Sequence, residues 1–103
     1  MSQEIPQINV PLDELRDFCK RWEVVELALF GSVLRENFST HSDVDVLISF
    51  SPKAQWSLFD LVRMRDELKS IFKHEVDLVE KSSLVNPFRR REILSTCRTV
   101  YAA

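Results

Sequence analysis

Gly31-Ser32 is followed, after ten intervening residues, by Asp43-Val44-Asp45. Those residue types at that spacing suit phosphate chemistry. A glycine-serine turn lets backbone N–H groups come close to phosphate oxygens, because no Cβ stands in the way. Aspartates at i and i+2 of a strand point to the same side with Cα atoms about 6.6 Å apart, so their carboxylates can converge on the divalent cation that phosphates carry. At an average usage of about 6% for each of the four positions, and about 90 starting points, such a match arises by chance in on the order of one chain of this size in a thousand. Gly31 is also the only glycine among the 103 residues.

The elements that must position these residues follow from hydrophobic periodicity. Pro11 opens a first helix, since proline is favoured at the first helical position, and Leu12, Leu15, Phe18, Cys19 and Trp22 follow helical spacing. Val24–Phe30 is nearly all apolar and reads as a strand buried on both faces, ending at Gly31-Ser32. Residues 33–38 read as a short helix or turn, and Thr40, His41 and Ser42 as a polar loop. A second strand over 43–50 alternates cleanly, with Val44, Val46, Ile48 and Phe50 on one face and Asp43, Asp45, Leu47 and Ser49 on the other. Ser51-Pro52-Lys53 breaks it. Ser57 caps a second helix with Asp60 as a capping-box partner, and Leu58, Leu61, Val62, Leu68 and Phe72 make its apolar stripe. Residues 74–80 form a third strand, with Val76 and Leu78 facing one way and Glu75, Asp77 and Val79 the other. Asn86-Pro87 starts a last helix through about Thr96, and residues 98–101 are a final short strand or a frayed end. The order helix, strand, strand, helix, strand, helix predicts an α+β fold, a small mixed sheet with helices packed on one side.

A third carboxylate on a neighbouring strand would complete the cluster. Asp77 is the candidate, with Glu75 on the same face but nearer the strand start. Three carboxylates within about 5 Å repel at about 3 kcal/mol per pair at an effective dielectric near 20. Such a cluster is a liability without a cation. With Mg²⁺ it becomes the oxygen-ligand site that phosphoryl and nucleotidyl transfer needs, in which two ions about 3.5–4 Å apart would hold the attacking and leaving oxygens. Ser32 and neighbouring N–H groups would take the terminal phosphates, Arg35 would neutralise phosphate charge, and Asp77 would accept the proton of an attacking hydroxyl.

Bulk composition bounds the rest. At 12.1 kDa the chain is expected to form one domain over residues 1–103. A net charge of −2 and a pI near 5.7 lend no support to direct nucleic-acid binding. The two cysteines, Cys19 and Cys97, read as thiols and not as a disulfide, and no Cys/His zinc spacing is present. Neither a signal peptide nor an apolar stretch near the ~20 residues needed to span a bilayer is visible, so a cytoplasmic location without membrane contact is expected. His41 and His74 read as surface residues. The Arg89-Arg90-Arg91 run reads as a solvated helix face, with contact to a partner or nucleotide as the other possibility. Trp56 is either packed or an anchor for a partner.

Gly31-Ser32, the ten-residue spacer, Ser42-Asp43-Val44-Asp45-Val46-Leu47 and Glu75-Val76-Asp77-Leu78-Val79 resemble the minimal nucleotidyltransferases, the smallest members of the DNA polymerase beta-like nucleotidyltransferase superfamily. The tail from Asn86 to Leu94 resembles the end of such proteins, so the likeness runs from about residue 24 onward. It implies a nucleotidyltransferase fold with Asp43 and Asp45 binding both metals, and Asp77 binding the catalytic metal and activating the nucleophile. The resemblance further implies Mg²⁺, ATP as substrate, and a HEPN-domain toxin as partner in a hetero-oligomer, neutralised by AMP transfer to a tyrosine. Many relatives carry glycine where this chain has Glu36, after Arg35. A contact-only antitoxin and a transferase acting on a small-molecule hydroxyl are the alternative readings.

Overall fold

The computed structural model describes residues 8–35, 38–39 and 42–103. Among them the chain runs through helix α1 (Leu12–Arg21), strand β1 (Val24–Phe30), a 3-10 turn (Gly31–Leu34) and strand β2 (Val44–Phe50). It continues through helix α2 (Leu58–Phe72), strand β3 (Val76–Glu80), helix α3 (Pro87–Thr96) and strand β4 (Arg98–Ala102). The strands form one mixed sheet in the order β3-β2-β1-β4. β1 is antiparallel to both β2 and β4, while β2 and β3 are parallel and joined by α2 as the crossover. Residues 98–102 are thus an edge strand and not a frayed end.

Strand alternation divides the molecule. Leu27 and Leu29 of β1, and Val44, Val46 and Ile48 of β2, face a core closed by Leu15, Phe18 and Cys19 of α1 and Met64, Leu68 and Phe72 of α2. Ala28, Phe30 and Leu47 face the other way, against Leu84 and Ile93. β1 is therefore apolar on both faces because both faces are covered. The expectation of helices on one side holds for α1 and α2. It fails for α3, which packs Ile93 and Leu94 on the opposite face. The cause is Leu47 together with Ala28 and Phe30, an apolar strip too short to announce itself but costly to leave in water.

Local signals place the ends of the elements. Pro11 stands one residue before α1, as its N-cap, and not inside it. Ser57 and Asp60 form the expected capping box: Ser57 Oγ accepts from the Asp60 N–H at 3.3 Å, and Asp60 Oδ2 accepts from the Ser57 N–H at 2.9 Å. The stripe of α2 differs from expectation. Met64 fills the core, whereas Leu58 and Val62 are 77% and 40% exposed. The face of the helix that meets the core runs through Leu61, Met64, Leu68 and Phe72, and Leu58 and Val62 lie to its side. Trp56, ahead of the cap, packs edge-on against Trp22 with ring centroids 5.1 Å apart and donates from Nε1 to the Trp22 carbonyl at 3.0 Å. Arg21 and Trp22 both donate to the Glu67 carboxylate of α2.

Both cysteines are free. Burial pushes the Cys19 thiol up to about 12, so it behaves as a small apolar core group. No helix among the described residues is long and apolar enough to cross a membrane. Because Phe18 is fully buried between α1 and the sheet, Phe18→Ala is expected to cost about 3–5 kcal/mol. Urea unfolding followed by circular dichroism measures it, and a loss below 1 kcal/mol would contradict the assigned core.

Candidate active site

The sequence-predicted residues arrive at one end of one sheet face by three separate routes. Asp45 and Asp77 are register partners on the parallel strands β2 and β3, which places their backbones about 4.8 Å apart with side chains on the same side. Asp43 lies just ahead of β2, two residues before Asp45, and so shares its side. The Val44 N–H, bonded to the Glu75 carbonyl at 2.8 Å, ties that entry to β3. Asp45 also pairs with Phe30 across β1, so the residue that ends β1 delivers Gly31 directly beside the carboxylate. Leu47 shares this face too, which makes it the face that α3 covers.

Gly31 has φ +75°, and a Cβ there would run into the Asp45 carboxylate. The second fact is the decisive one. Glu23 and Lys73 also take positive φ, at 56° and 59°, so this chain accommodates side chains in the left-handed region where space permits. At Gly31 it does not, because the aspartate occupies the space.

Of the short helix or turn expected after β1, the described residues show a 3-10 turn over Gly31–Leu34, and it closes through the Arg35 N–H to the Ser32 carbonyl at 2.9 Å. Within it Ser32 faces the aspartates: its hydroxyl donates to the Asp43 carbonyl at 3.3 Å and its backbone N–H bonds the Asp45 carboxylate. Arg35 is exposed at the end of the turn. Thr40 and His41, of the expected polar loop, lie outside the described residues, as does Glu36. His74 is half-buried, its ring 5.1 Å from that of Phe38, rather than on the open surface.

The Asp45 carboxyl is held above the usual aspartate range, chiefly by burial, then by the charges of Asp77 and Asp43. The Ser32 N–H and the Arg89 guanidinium offset part of this. Among the described residues no three acidic, histidine or cysteine side chains are drawn to a common point that would hold an ion as they stand. The backbone brings the three aspartates together, and the donor set they offer is all carboxylate oxygen, the kind that suits Mg²⁺.

Arg89 is the residue that sequence reasoning left out of the site. The run Arg89-Arg90-Arg91 is exposed as expected, yet Arg89 reaches the electrostatic neighbourhood of Asp45. It lines a hollow of about 310 Å³ with Gly31, Arg35, Glu92 and Thr96. Its placement depends on α3 crossing the carboxylate face, which the run itself does not signal. A larger hollow of about 590 Å³, lined by Ser49, Trp56, Glu80, Lys81 and Arg90 among others, lies at the far ends of β2 and β3.

Two outcomes follow for this site. A raised native-state value means that ionising Asp45 costs the folded protein. The cost is absent below the ordinary value of 3.8, grows as pH rises through the shifted range and is full at neutral pH. Without divalent cations Asp45→Asn should therefore melt higher than wild type at pH 7, with the gap closing as pH falls toward 3.8; a gap independent of pH would contradict the like-charge cluster. Gly31→Ala should lose about 1–2 kcal/mol for its left-handed backbone, plus a further loss from displacing Asp45. A double-mutant cycle with Asp45→Ala, read by denaturant unfolding, should recover only that second part.

Residues 12–100 match the family model of the nucleotidyltransferase domain. Protein adenylyltransferase MntA of Thermococcus cleftensis is 38% identical over 71 residues, which is 69% of this chain and 67% of that protein. A toxin–antitoxin crystal structure with AMP-PNP superposes with a TM-score of 0.70 at 15% identity, over 90% of this chain and 74% of that one. A complex of tri-AMPylated Shewanella oneidensis HEPN toxin with MNT antitoxin gives a TM-score of 0.62 at 15% identity, over 89% and 70%. A sheet that sets two in-register aspartates against a glycine-serine turn, in a chain matched nearly end to end, belongs to the nucleotidyltransferase domain family.

Proposed function

We propose that this protein is a Mg²⁺-dependent antitoxin that transfers AMP from ATP to a tyrosine hydroxyl of a partner HEPN-domain toxin. The observation that carries the reading is Asp45 in register with Asp77, with Asp43 and Asp45 abutting the Gly31-Ser32 turn. The adenylyltransferase named among its relatives supports the reaction, and the fold shared with the HEPN toxin complex supports the class of partner.

In this reading Asp43, Asp45 and Asp77 hold the metal ions, and Gly31 and Ser32 lie against the phosphates with Arg35 at the rim. Bound Mg²⁺ would supply the positive charge that a polyphosphate and three carboxylates require. Asp77, exposed at the outer strand of the sheet, accepts the proton of the acceptor hydroxyl. The hydroxyl oxygen bonds the α-phosphorus, the bond from that phosphorus to the bridging oxygen breaks, and pyrophosphate leaves. β3 is an edge strand, so an acceptor on another protein can reach Asp77 without crossing this chain.

A second reading, neutralisation by contact alone, draws on the exposed Phe59 and Phe88 at the first turns of α2 and α3. Intact mass of the HEPN protein after incubation with Mg·ATP separates the two. AMP-sized additions with wild type, and none with Asp43→Asn/Asp45→Asn, are expected. A stable complex with no addition would favour the contact antitoxin. In parallel, Mg·AMP-PNP at 100-fold over its Kd should stabilise wild type by about 2.7 kcal/mol, and an equal upward shift in melting temperature with Asp43→Asn would show that the assigned metal ligands are wrong.

A further inference from the structure

β2 and β3 are parallel, so both finish at the same end of the sheet, opposite to the end that carries the aspartates. From there the chain departs in two directions. After β2 it enters α2, which packs Met64 and Leu68 on one face; after β3 it enters α3, which packs Ile93 on the other. Where the continuations of neighbouring parallel strands part in this way a crevice opens, and ligands commonly bind in it. The hollow of about 590 Å³ lies there, lined by Ser49, Pro52 and Trp56 from the β2 side and by Glu80, Lys81 and Arg90 from the β3 side.

The chain on both sides of this crevice is apolar and exposed. Leu58 and Phe59 open α2, directly after Trp56 and the cap, and are 77% and 81% exposed. Val85 and Phe88 flank the start of α3 and are 86% and 84% exposed. These are four of the six large hydrophobic side chains that the described residues expose. Scattered singly they would need no account, but gathered at one end of the sheet they mark a contact surface. At about 150–250 Å² each, the two phenylalanines at these exposures offer about 250–400 Å² of the ~800 Å² that one partner buries in a standard interface. The hollow itself is charged. Lys81 is paired with Glu26 at 3.0 Å, and Glu80 accepts from Ser82 Oγ at 2.6 Å. Arg90 donates to the Lys81 carbonyl at 3.4 Å and, among the described residues, is in no ion pair. A guanidinium without a counter-charge, set between apolar rims, suits a carboxylate carried among apolar side chains.

We propose that this crevice and its rims are the docking surface for the acceptor protein, the HEPN-domain partner, which seats an acidic side chain on Arg90 and apolar ones on Phe59 and Phe88. The inference rests on the adenylyl-transfer reading above and adds to it a seat for the acceptor outside the reacting groups. Glu80 lies three residues beyond Asp77 on the outer strand, about 10 Å along it. A protein seated at the crevice therefore runs along β3 to the carboxylate that takes its hydroxyl proton. Docking here positions the acceptor for transfer, and so acts on KM and not on kcat. A second copy of this chain fits less well, because a twofold contact sets the patch on itself and brings two Arg90 charges together.

The test pairs calorimetric titration of the full chain with the HEPN-domain partner and steady-state AMP transfer to that partner. Wild type is compared with Phe59→Ser, Phe88→Ser, Arg90→Gln and Arg90→Glu, all at exposed positions, whose melting temperatures should match wild type. Phe59→Ser, Phe88→Ser and Arg90→Gln should each raise the Kd and the acceptor KM about tenfold, and Arg90→Glu should raise them further. The kcat at saturating acceptor and the Kd for Mg·AMP-PNP should stay at wild-type values. Unchanged Kd and KM in every variant would overturn the surface and leave the transfer reading standing. A lowered kcat or weakened AMP-PNP binding would overturn it by placing these residues at the reaction site. Equal losses in Arg90→Gln and Arg90→Glu would overturn the acidic chemistry assigned to the partner. A wild-type dimer in sedimentation that the variants dissolve would give the patch to a second copy instead. If wild type bound the HEPN protein but transferred no AMP, the transfer reading would fall, and the Kd of the variants would decide the surface by itself.

Discussion

Like charges crowded at the end of two strands repel, and the rest of the molecule is arranged to resist that repulsion. Asp45 and Asp77 stay side by side because β2 and β3 are hydrogen-bonded in parallel register, and a one-residue slip would send one carboxylate to the opposite face. The register is held by what lies behind it. Val44, Val46, Ile48 and Val76 point into the core from the same two strands, so moving the aspartates means extracting four apolar side chains. α2 connects the strands, and its buried Met64, Leu68 and Phe72 lock the crossover onto that core.

The opposite face is shared between chemistry and packing. Near the strand starts it carries carboxylates; one step further along β2 it carries Leu47, which α3 covers with Ile93. That single helix seals a small second core and carries Arg89 toward Asp45. A face with no helix would leave Phe30 and Leu47 in water, and one fully covered would bury the aspartates as well. Ten residues of α3 meet both demands.

Much of this was legible in the residues themselves. The period-two alternation of β2 assigns Asp43 and Asp45 a common face without any structure. The all-apolar β1 calls for cover on both sides, and Ser57 with Asp60 announces the start of α2. What stayed hidden depended on distant partners. The pairing of β4 with β1 is invisible in five residues that could equally be a loose end. Leu58 reads as core by its spacing, yet it lies to the side of the helix face that Leu61, Met64 and Leu68 turn to the core. The role of Gly31 was legible as backbone freedom, but the tighter constraint, contact with Asp45, exists only once β1 and β2 are paired. Arg89 looked like its two neighbours because only the direction of α3 distinguishes them.

Trp22 and Trp56 are the chain's only tryptophans, and they pack edge to face where the end of α1 meets the approach to α2. All of the protein's indole emission therefore comes from one interhelical seam, on the side of the sheet that the aspartates do not face. The seam opens when the fold melts, and it belongs to the core on the sheet face opposite Asp45. The protein thus carries an internal reporter of its folded fraction that is separate from its occupancy. A single sample can be read for both, with intrinsic fluorescence counting native molecules while heat or mass counts bound ones.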